Sequence, residues 1–190
     1  MLDRACRSVV NWQRAVPGAE RLRLSVNISG CQLEDTRFPA EVSATLERTG
    51  LDPRDLTLEL TESVLMGDGE AVARRLGCLK ELGIGIAIDD FGTGFSSLSY
   101  LHRFPVDTLK IAKPFVDQVC QSEKGFLAAA IVNLGTSLGL ETVAEGIEEA
   151  EQRDGLRALG CALGQGYYFG RPMPEAEALA YLESRLRSAA

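Results

Sequence analysis

Six short, mostly apolar segments recur along the chain and are separated by stretches with the spacing of amphipathic helices. The segments are residues 21–28, 56–62, 84–89, 108–111, 141–144 and 166–169. Strands that are buried on both faces of a parallel sheet are short and apolar in this way. Strands that alternate with helices form such a sheet through right-handed crossovers. The pattern therefore predicts an α/β fold.

The number of strands favours a barrel that is incomplete. Helices are predicted over residues 2–16, after residue 68, over 126–138 and 148–159, and from Glu175 to about Arg187. A (β/α)8 barrel needs eight strands and about 250 residues, whereas this chain of 190 residues offers about six strand–helix units. The chain also opens on a helix with no strand before it. We therefore predict one domain over residues 1–190, a TIM-like (β/α)8 barrel variant that lacks its first strand or strands.

An incomplete barrel would have open sheet edges and exposed apolar surface. We therefore expect that a second copy of the chain covers the gap in a homodimer, or that the isolated chain is marginally stable.

Charge and cysteine content exclude several classes of function. A formal net charge of −7 disfavours binding to DNA or RNA, which needs a basic surface. No apolar run reaches the length of a membrane span. The five cysteines are odd in number and never form a CxxC pair, which disfavours disulfides and zinc and indicates a reducing, cytoplasmic setting. His102 is the only histidine, so a histidine-rich metal site is excluded.

Polar side chains lie at or just beyond the end of each predicted strand. They are Asn27, Glu59 and Glu62, Asp89 and Asp90, Lys110, Glu145 and Gln165. Successive strands of a barrel bring their C-terminal ends to one rim, where barrel enzymes have their active sites. We therefore expect an amide, several carboxylates and a lysine to converge.

Converging carboxylates repel one another unless a cation lies among them. Oxygen ligands without histidine or thiolate suit a hard divalent ion, Mg²⁺ or Mn²⁺. The adjacent Asp89 and Asp90 could serve two metals, and paired metals suit phosphodiester cleavage. Lys110 could position the attacking water or stabilise charge in the transition state.

Each of these residues also has a simpler interpretation. Asn27 after a strand is commonly a turn former or a helix cap. Glu59 could lie on the solvent face of an alternating strand, and Lys110 could be a surface lysine. Asp-Phe-Gly is also the magnesium triplet of protein kinases, but the chain has neither a Gly-rich phosphate loop nor His-Arg-Asp. Chance placement of such polar residues at five strand ends is much less common than any one of these alternatives.

The motifs around these residues resemble those of the EAL-domain cyclic di-GMP phosphodiesterases. They are Asn27-Ile28-Ser29, Glu59-Leu60-Thr61-Glu62, the run 89–98 that begins Asp89-Asp90-Phe91-Gly92-Thr93-Gly94, Leu109-Lys110-Ile111, Ala144-Glu145-Gly146-Ile147-Glu148 and Gln165-Gly166-Tyr167. They occur in that family's order and spacing over essentially the whole chain. The resemblance implies a (β/α)8 barrel with one antiparallel strand. It also implies Mg²⁺- or Mn²⁺-dependent hydrolysis of cyclic di-GMP, a bacterial second messenger, to linear pGpG.

The resemblance also implies a role for each matching residue. Asn27, Glu59, Asp89, Asp90 and Glu145 would be metal ligands, with Asp90 on a second metal, and Glu145 would bind the metal or its activated water. Lys110 would contact that water, and Gln165 would contact the substrate or the metal-bound water. Glu62 would anchor the loop of residues 92–98, including Gly92, Thr93 and Gly94, which couples the site to dimerisation. Glu148 would support the residues of the site without contacting the metal or the substrate itself.

Two departures from the family pattern leave a second function open. The signature Glu-Ala-Leu strand, whose glutamate is a metal ligand in the family, is absent from the sequence, and Ala112 stands where the family usually has aspartate. The alternative is therefore a catalytically inactive EAL module that binds cyclic di-GMP or a protein partner.

Overall fold

One sheet of six strands forms the centre of the chain. The computed structural model describes residues 1–66, 69–94, 101, 103–120 and 125–189. The strands are β1 (Leu24–Asn27), β2 (Leu56–Thr61), β3 (Gly85–Phe91), β4 (Thr108–Ile111), β5 (Glu141–Ala144) and β6 (Leu163–Gly164). Each strand pairs in parallel with its neighbour in chain order. Consecutive parallel strands joined by helices form the wall of a (β/α) barrel, which confirms the predicted fold class.

Helices connect the strands at positions close to those expected. They are α1 (Leu2–Ala15), α2 (Gly30–Glu34), α3 (Phe38–Thr49), α4 (Gly69–Glu81), α5 (Lys113–Val116), α6 (Phe126–Leu138), α7 (Ala150–Ala158) and α8 (Glu175–Ala189), with 3₁₀ turns at Pro53–Asp55 and Glu62–Met66. The helices that were predicted agree with these bounds to within two residues at each end. Within the described residues, no helix is both long enough and apolar enough to cross a membrane.

The predicted strand over residues 166–169 is wrong. The sixth strand is the two-residue segment Leu163–Gly164, and residues 166–169 form a turn. The amides of Phe169 and Gly170 donate to the Gly166 carbonyl at 3.0 and 3.2 Å. The backbone of Gly166 approaches Ile147 so closely that an added Cβ would lie 2.1 Å from the Ile147 carbonyl oxygen. This close packing accompanies a backbone turn where the sequence pattern indicated an extended segment.

Helix α3 was not among the predicted helices, although its signals are present. Phe38, Val42 and Leu46 are buried and are spaced four residues apart, as on one face of a helix. Pro39 lies in the first turn, and Gly50 ends the helix in the left-handed conformation with φ of +73°, which glycine adopts most readily.

The two faces of the sheet differ in chemistry because side chains alternate along each strand. On β2, Leu56, Leu58 and Leu60 are buried and belong to the same apolar core as Leu76 of α4 and Val132 of α6. Glu59 alternates with these leucines and therefore lies on the opposite face. Lys110 of β4 alternates in the same way with Leu109 and Ile111, both fully buried. The apolar face therefore packs on the helices, and the polar face remains for the site.

The sheet is curled, so that residues from distant strands approach one another. Arg23, directly before β1, lies 4.0 Å from Glu141 at the start of β5. Four interstrand spacings would separate these strands by about 19 Å in a flat sheet. The first and last helices also meet, because Arg4 of α1 pairs with Glu175 of α8 at 2.9 Å. The concave face therefore encloses the polar side chains of several strands.

Candidate active site

A buried lysine contacts three carboxylates at the C-terminal end of the sheet. The ammonium nitrogen of Lys110 lies 2.5 Å from Glu59 Oε2, 3.0 Å from Asp89 Oδ1 and 2.6 Å from Glu145 Oε1. Gln165 joins this group, because its Nε2 donates to Glu145 Oε1 at 2.9 Å. Lys110 is only 3% exposed and Glu59 only 6%. Five of the residues predicted from strand ends therefore form one bonded cluster.

Backbone pairing continues past the strand ends and positions the last members of the cluster. The Glu145 amide donates to the Ile111 carbonyl at 3.0 Å, one residue beyond β5. The Gln165 amide donates to the Ala144 carbonyl at 2.8 Å, one residue beyond β6. Glu145 and Gln165 are thus held at the level of Lys110 by the same ladder of hydrogen bonds that pairs the strands.

A bulge in β3 allows two consecutive aspartates to serve the same site. Ile88 pairs with Leu109 and Phe91 with Ile111, so β3 carries one more residue than β4 over this stretch. Asp90, in the extra stretch, has a φ of +52° and is the non-glycine residue with a left-handed backbone among those described. In a regular strand Asp89 and Asp90 would point to opposite faces, whereas a bulge reorients a side chain. Asp89, Asp90 and Glu145 accordingly offer oxygens that all lie within 4.8 Å of one another.

The charges in the cluster shift one another's protonation. Burial alone would lower the pKa of Lys110, but its hydrogen bonds to Glu145, Glu59 and Asp89 outweigh burial and raise that pKa. Burial is also the main reason that the pKa of Glu145 is raised. Burial would raise the pKa of Asp89 as well, yet its hydrogen bonds with Glu145 and Lys110 lower it. Lys110 is therefore firmly protonated, and Asp89 retains its negative charge more readily than Glu145 does.

The donor atoms of this cluster fit a hard divalent cation. Asp89, Asp90 and Glu145 supply only oxygens, and hard ions such as Mg²⁺, Mn²⁺ and Ca²⁺ prefer such ligands. One lysine cannot neutralise several buried carboxylates, and a second cation would relieve the burial cost that raises the pKa of Glu145. The residues present are therefore suited to hold a metal.

Asn27 lies beside the cluster and does not bond to it. Its Cα pairs with that of Glu59 across β1 and β2, which places it on the same rim. Asn27 is exposed and is among the residues that line a cavity, together with Gln32 of α2 and Glu41 of α3. Among the described residues, the structure thus brings Asn27 next to the metal-ligand candidate Glu59 without a side-chain hydrogen bond between them.

Glu62 holds the backbone of the loop that follows β3. Its Oε2 accepts hydrogen bonds from the amides of Gly92 at 2.9 Å and Gly94 at 3.4 Å. A Cβ on Gly94 would lie 2.7 Å from Glu62 Oε1, so the carboxylate packs directly on this glycine. Thr93 donates its hydroxyl to the Asp90 carbonyl at 2.8 Å, which ties the loop to the bulge. Residues 95–98 of the family-like run, and His102, lie outside the described residues.

Glu148 is bonded to a residue that the sequence did not single out. Glu148 Oε1 lies 3.1 Å from the ammonium of Lys113, in α5. The available signal was the spacing of Lys113 and Asp117, four residues apart on a helix, which form an ion pair at 3.0 Å. That spacing identifies the pair within the helix, but it does not indicate the contact with Glu148.

The comparison with protein families identifies the chain. A family model described as the EAL domain matches residues 1–172. The chain belongs to the EAL domain family. Oxygen sensor protein DosP of Escherichia coli is 40% identical over 98% of this chain and 23% of its own length. Cyclic di-GMP phosphodiesterase NbdA of Pseudomonas aeruginosa is 42% identical over 99% of this chain and 23% of its own length. This EAL chain therefore spans about a quarter of the length of these relatives.

Solved structures share the EAL fold. The PaMucR phosphodiesterase, in complex with cyclic di-GMP, is 41% identical with a TM-score of 0.87 over 93% of this chain and 71% of that chain. The EAL domain of Mycobacterium smegmatis DcpA is 34% identical, with a TM-score of 0.89 over 97% and 82%. Klebsiella pneumoniae BlrP1, in a manganese and cyclic di-GMP complex, is 27% identical with a TM-score of 0.81 over 91% and 43%.

The contacts of Glu62 predict that its acceptor oxygen, and not its charge, holds the loop. Glu62→Ala removes the acceptor for two amides and should lower the free energy of unfolding by about 1–3 kcal/mol. It should also speed amide hydrogen exchange at Gly92. Glu62→Gln retains a carbonyl oxygen and should preserve both properties. Urea unfolding and exchange measured on the two variants check this, and equal damage in both would contradict it.

Proposed function

We propose that this EAL chain hydrolyses one phosphodiester bond of cyclic di-GMP to give linear pGpG, with Mg²⁺ or Mn²⁺. The observation that carries the proposal is the cluster of Glu59, Asp89, Lys110 and Glu145 at the C-terminal ends of four neighbouring parallel strands. The names of the relatives NbdA and PaMucR support the reaction. The BlrP1 complexes with manganese and with calcium support a divalent ion.

The residues that would hold metal are Asn27, Glu59, Asp89, Asp90 and Glu145. Bound divalent ions would activate the attacking water and neutralise the phosphate charge. Asp89 and Glu145, each partly buried, would orient that water through their carboxylate oxygens. Gln165 would keep the Glu145 carboxylate in place through the hydrogen bond from its Nε2, and its position at the rim would let it contact the substrate.

Lys110 would serve the reaction through its fixed positive charge. Its ammonium is oriented by three carboxylates and so needs no rearrangement when charge develops on the phosphate. Preorganised charges of this kind in a site shielded from water stabilise a transition state more strongly than mobile charges in water. Glu62 would hold the loop of Gly92, Thr93 and Gly94 against the site, and Glu148 would support the loop that carries Glu145.

The second candidate function is binding of cyclic di-GMP without turnover, and Ala112 favours it. Ala112 is fully buried at the N-terminal cap of α5, where no side-chain hydrogen bond is formed. Its side chain offers no oxygen where the family usually has aspartate. If that missing oxygen is essential for a second metal, the same rim would bind the dinucleotide and leave it intact.

The test is hydrolysis under single-turnover conditions. The chain, in excess over cyclic di-GMP, is incubated with Mn²⁺, and linear pGpG is followed by chromatography. Product should appear with the wild-type chain. Glu145→Gln should reduce the rate by at least about 100-fold, because it removes the negative charge of a proposed metal ligand and of its ion pair with Lys110.

Glu141→Gln is the matched control, because Glu141 is the first residue of β5, at the opposite end of the sheet from Glu145, and is half-exposed. It should react at the wild-type rate. A folded wild-type chain that binds cyclic di-GMP without forming product would contradict hydrolysis and favour the binding function. Equal rates in Glu145→Gln and Glu141→Gln would show that another site is responsible for the reaction.

We also propose that two copies of this chain associate. Large apolar side chains are exposed, including Phe126 at 65%, Tyr167 at 52% and Leu163 at 42%, and exposed apolar surface of this kind favours association. Light scattering at micromolar concentration should give twice the 20.5 kDa of one chain. A stable species of 20.5 kDa would contradict this proposal.

A further inference from the structure

The loop that carries Glu145 is held from both sides by the end of β4 and the start of α5. On one side, the Glu145 amide donates to the Ile111 carbonyl at 3.0 Å. On the other, the ammonium of Lys113 lies 3.4 Å from the Gly146 carbonyl and 3.1 Å from Glu148 Oε1. Two residues of one short segment therefore bond to the backbone directly before and after Glu145.

The alkyl chain of Lys113 occupies the space that a side chain at Gly146 would need. Gly146 has a φ of +67°, and a Cβ added to it would lie 2.7, 2.8 and 2.9 Å from Cγ, Cδ and Cβ of Lys113. Separations below about 3 Å are not observed for real Cβ atoms. The left-handed backbone and the missing side chain therefore let the lysine lie directly over the peptide that follows Glu145.

A second set of bonds fixes the far end of the same loop. Oε1 of Gln152, in α7, accepts hydrogen bonds from the amides of Glu148 and Glu149 at 2.8 and 3.0 Å. Its Nε2 donates to Asp117 Oδ1 at 3.1 Å, and the same oxygen lies 3.0 Å from the Lys113 ammonium. Lys113, Asp117 and Gln152 thus connect α5 and α7 across residues 145–149.

We propose that Lys113 is a positioning residue that clamps residues 145–149 and so fixes the Glu145 carboxylate in the cluster. Residues 145–149 belong to no helix or strand. The amide and carbonyl of Ile147 bond to the backbone of Gln165 and Tyr168, whereas the Gly146 carbonyl, in the residue next to Glu145, bonds to the side chain of Lys113. Glu145 must nevertheless meet Lys110 at 2.6 Å and Gln165 at 2.9 Å. A catalytic group displaced by about 1 Å loses much of its effect. The consequence for catalysis rests on the proposed function, whereas the clamp itself does not.

A purely local role for Lys113 would have a different signature. Exposed ion pairs four residues apart on a helix contribute only a few tenths of a kcal/mol, and Lys113 forms such a pair with Asp117. If this pair were its only role, Asp117→Asn would have the same effect as Lys113→Met. In the clamp, Asp117→Asn leaves the bonds of Lys113 to Gly146 and Glu148, and the asparagine oxygen can still accept from Gln152.

Hydrogen–deuterium exchange of the metal-free chain tests the clamp without reference to activity. Lys113→Met should speed exchange of peptides that cover residues 145–149 at least about fivefold, because local opening becomes easier. Asp117→Asn should stay near wild type, as should Arg54→Met, which removes the exposed pair of Arg54 with Asp52. Unchanged exchange in Lys113→Met, or equal acceleration in Asp117→Asn, would overturn the proposal.

Titration with Mn²⁺ and steady-state kinetics test the consequence. Residues that orient a metal ligand typically cost roughly 10- to 100-fold in metal affinity or activity when they are replaced. Lys113→Met should therefore weaken Mn²⁺ binding and lower kcat by such a factor, with little change in KM for cyclic di-GMP. Normal Mn²⁺ affinity alongside faster exchange would overturn the positioning role. If the wild-type chain produces no pGpG, the proposed function fails, and the exchange and Mn²⁺ binding results still decide the present proposal.

Discussion

Three carboxylates share one buried ammonium group, and the arrangement of the sheet depends on keeping them together. Removing charges from water costs several kcal/mol per ion, which only close and well-oriented partners can offset. The ammonium of Lys110 has such partners in the carboxylates of Glu59, Asp89 and Glu145, at 2.5 to 3.0 Å. The side chains of this cluster come from β2, β3 and β4 and from the residue after β5. A one-residue slip of any of these strands would turn its member towards the apolar core, so the cluster and the register support each other.

Two of the residues with left-handed backbone lie at or directly beside the metal-ligand candidates of this cluster. Asp90 has a φ of +52° within the β3 bulge, and Gly146 has a φ of +67° directly after Glu145. Such conformations cost free energy at a non-glycine residue such as Asp90 and persist there only where the surroundings impose them, whereas glycine adopts them readily. Here the bonds of Thr93 to the Asp90 carbonyl and of Lys113 to the Gly146 carbonyl impose them. Asp90 and Glu145, at and directly before these positions, offer oxygens within 4.8 Å of an oxygen of Asp89.

The polar strand ends were predictable because parallel strands deliver their C-terminal residues to one rim. Whether Glu59 faces solvent could not be predicted, since Leu-Thr-Leu-Glu-Leu-Thr alternates in the same way on an open or an enclosed face. Only the curl of the sheet leaves Glu59 6% exposed. The contact of Lys113 with Glu148 joins residues 35 positions apart and leaves no periodic pattern. The turn after Gln165 depends on the close approach of Gly166 to Ile147. The spacing of residues in the sequence does not predict that approach.

The central claim is that the rim of Asp89, Asp90 and Glu145 is a metal site of a cyclic di-GMP hydrolase. Crystals of the chain grown with Mn²⁺ and cyclic di-GMP, with diffraction recorded at the manganese absorption edge, test this most directly. The account predicts an anomalous peak within coordination distance of these three carboxylates, with a phosphate of the dinucleotide beside it. A map that shows cyclic di-GMP bound elsewhere and no manganese near Asp89, while Lys110 keeps its three carboxylate contacts, would contradict it.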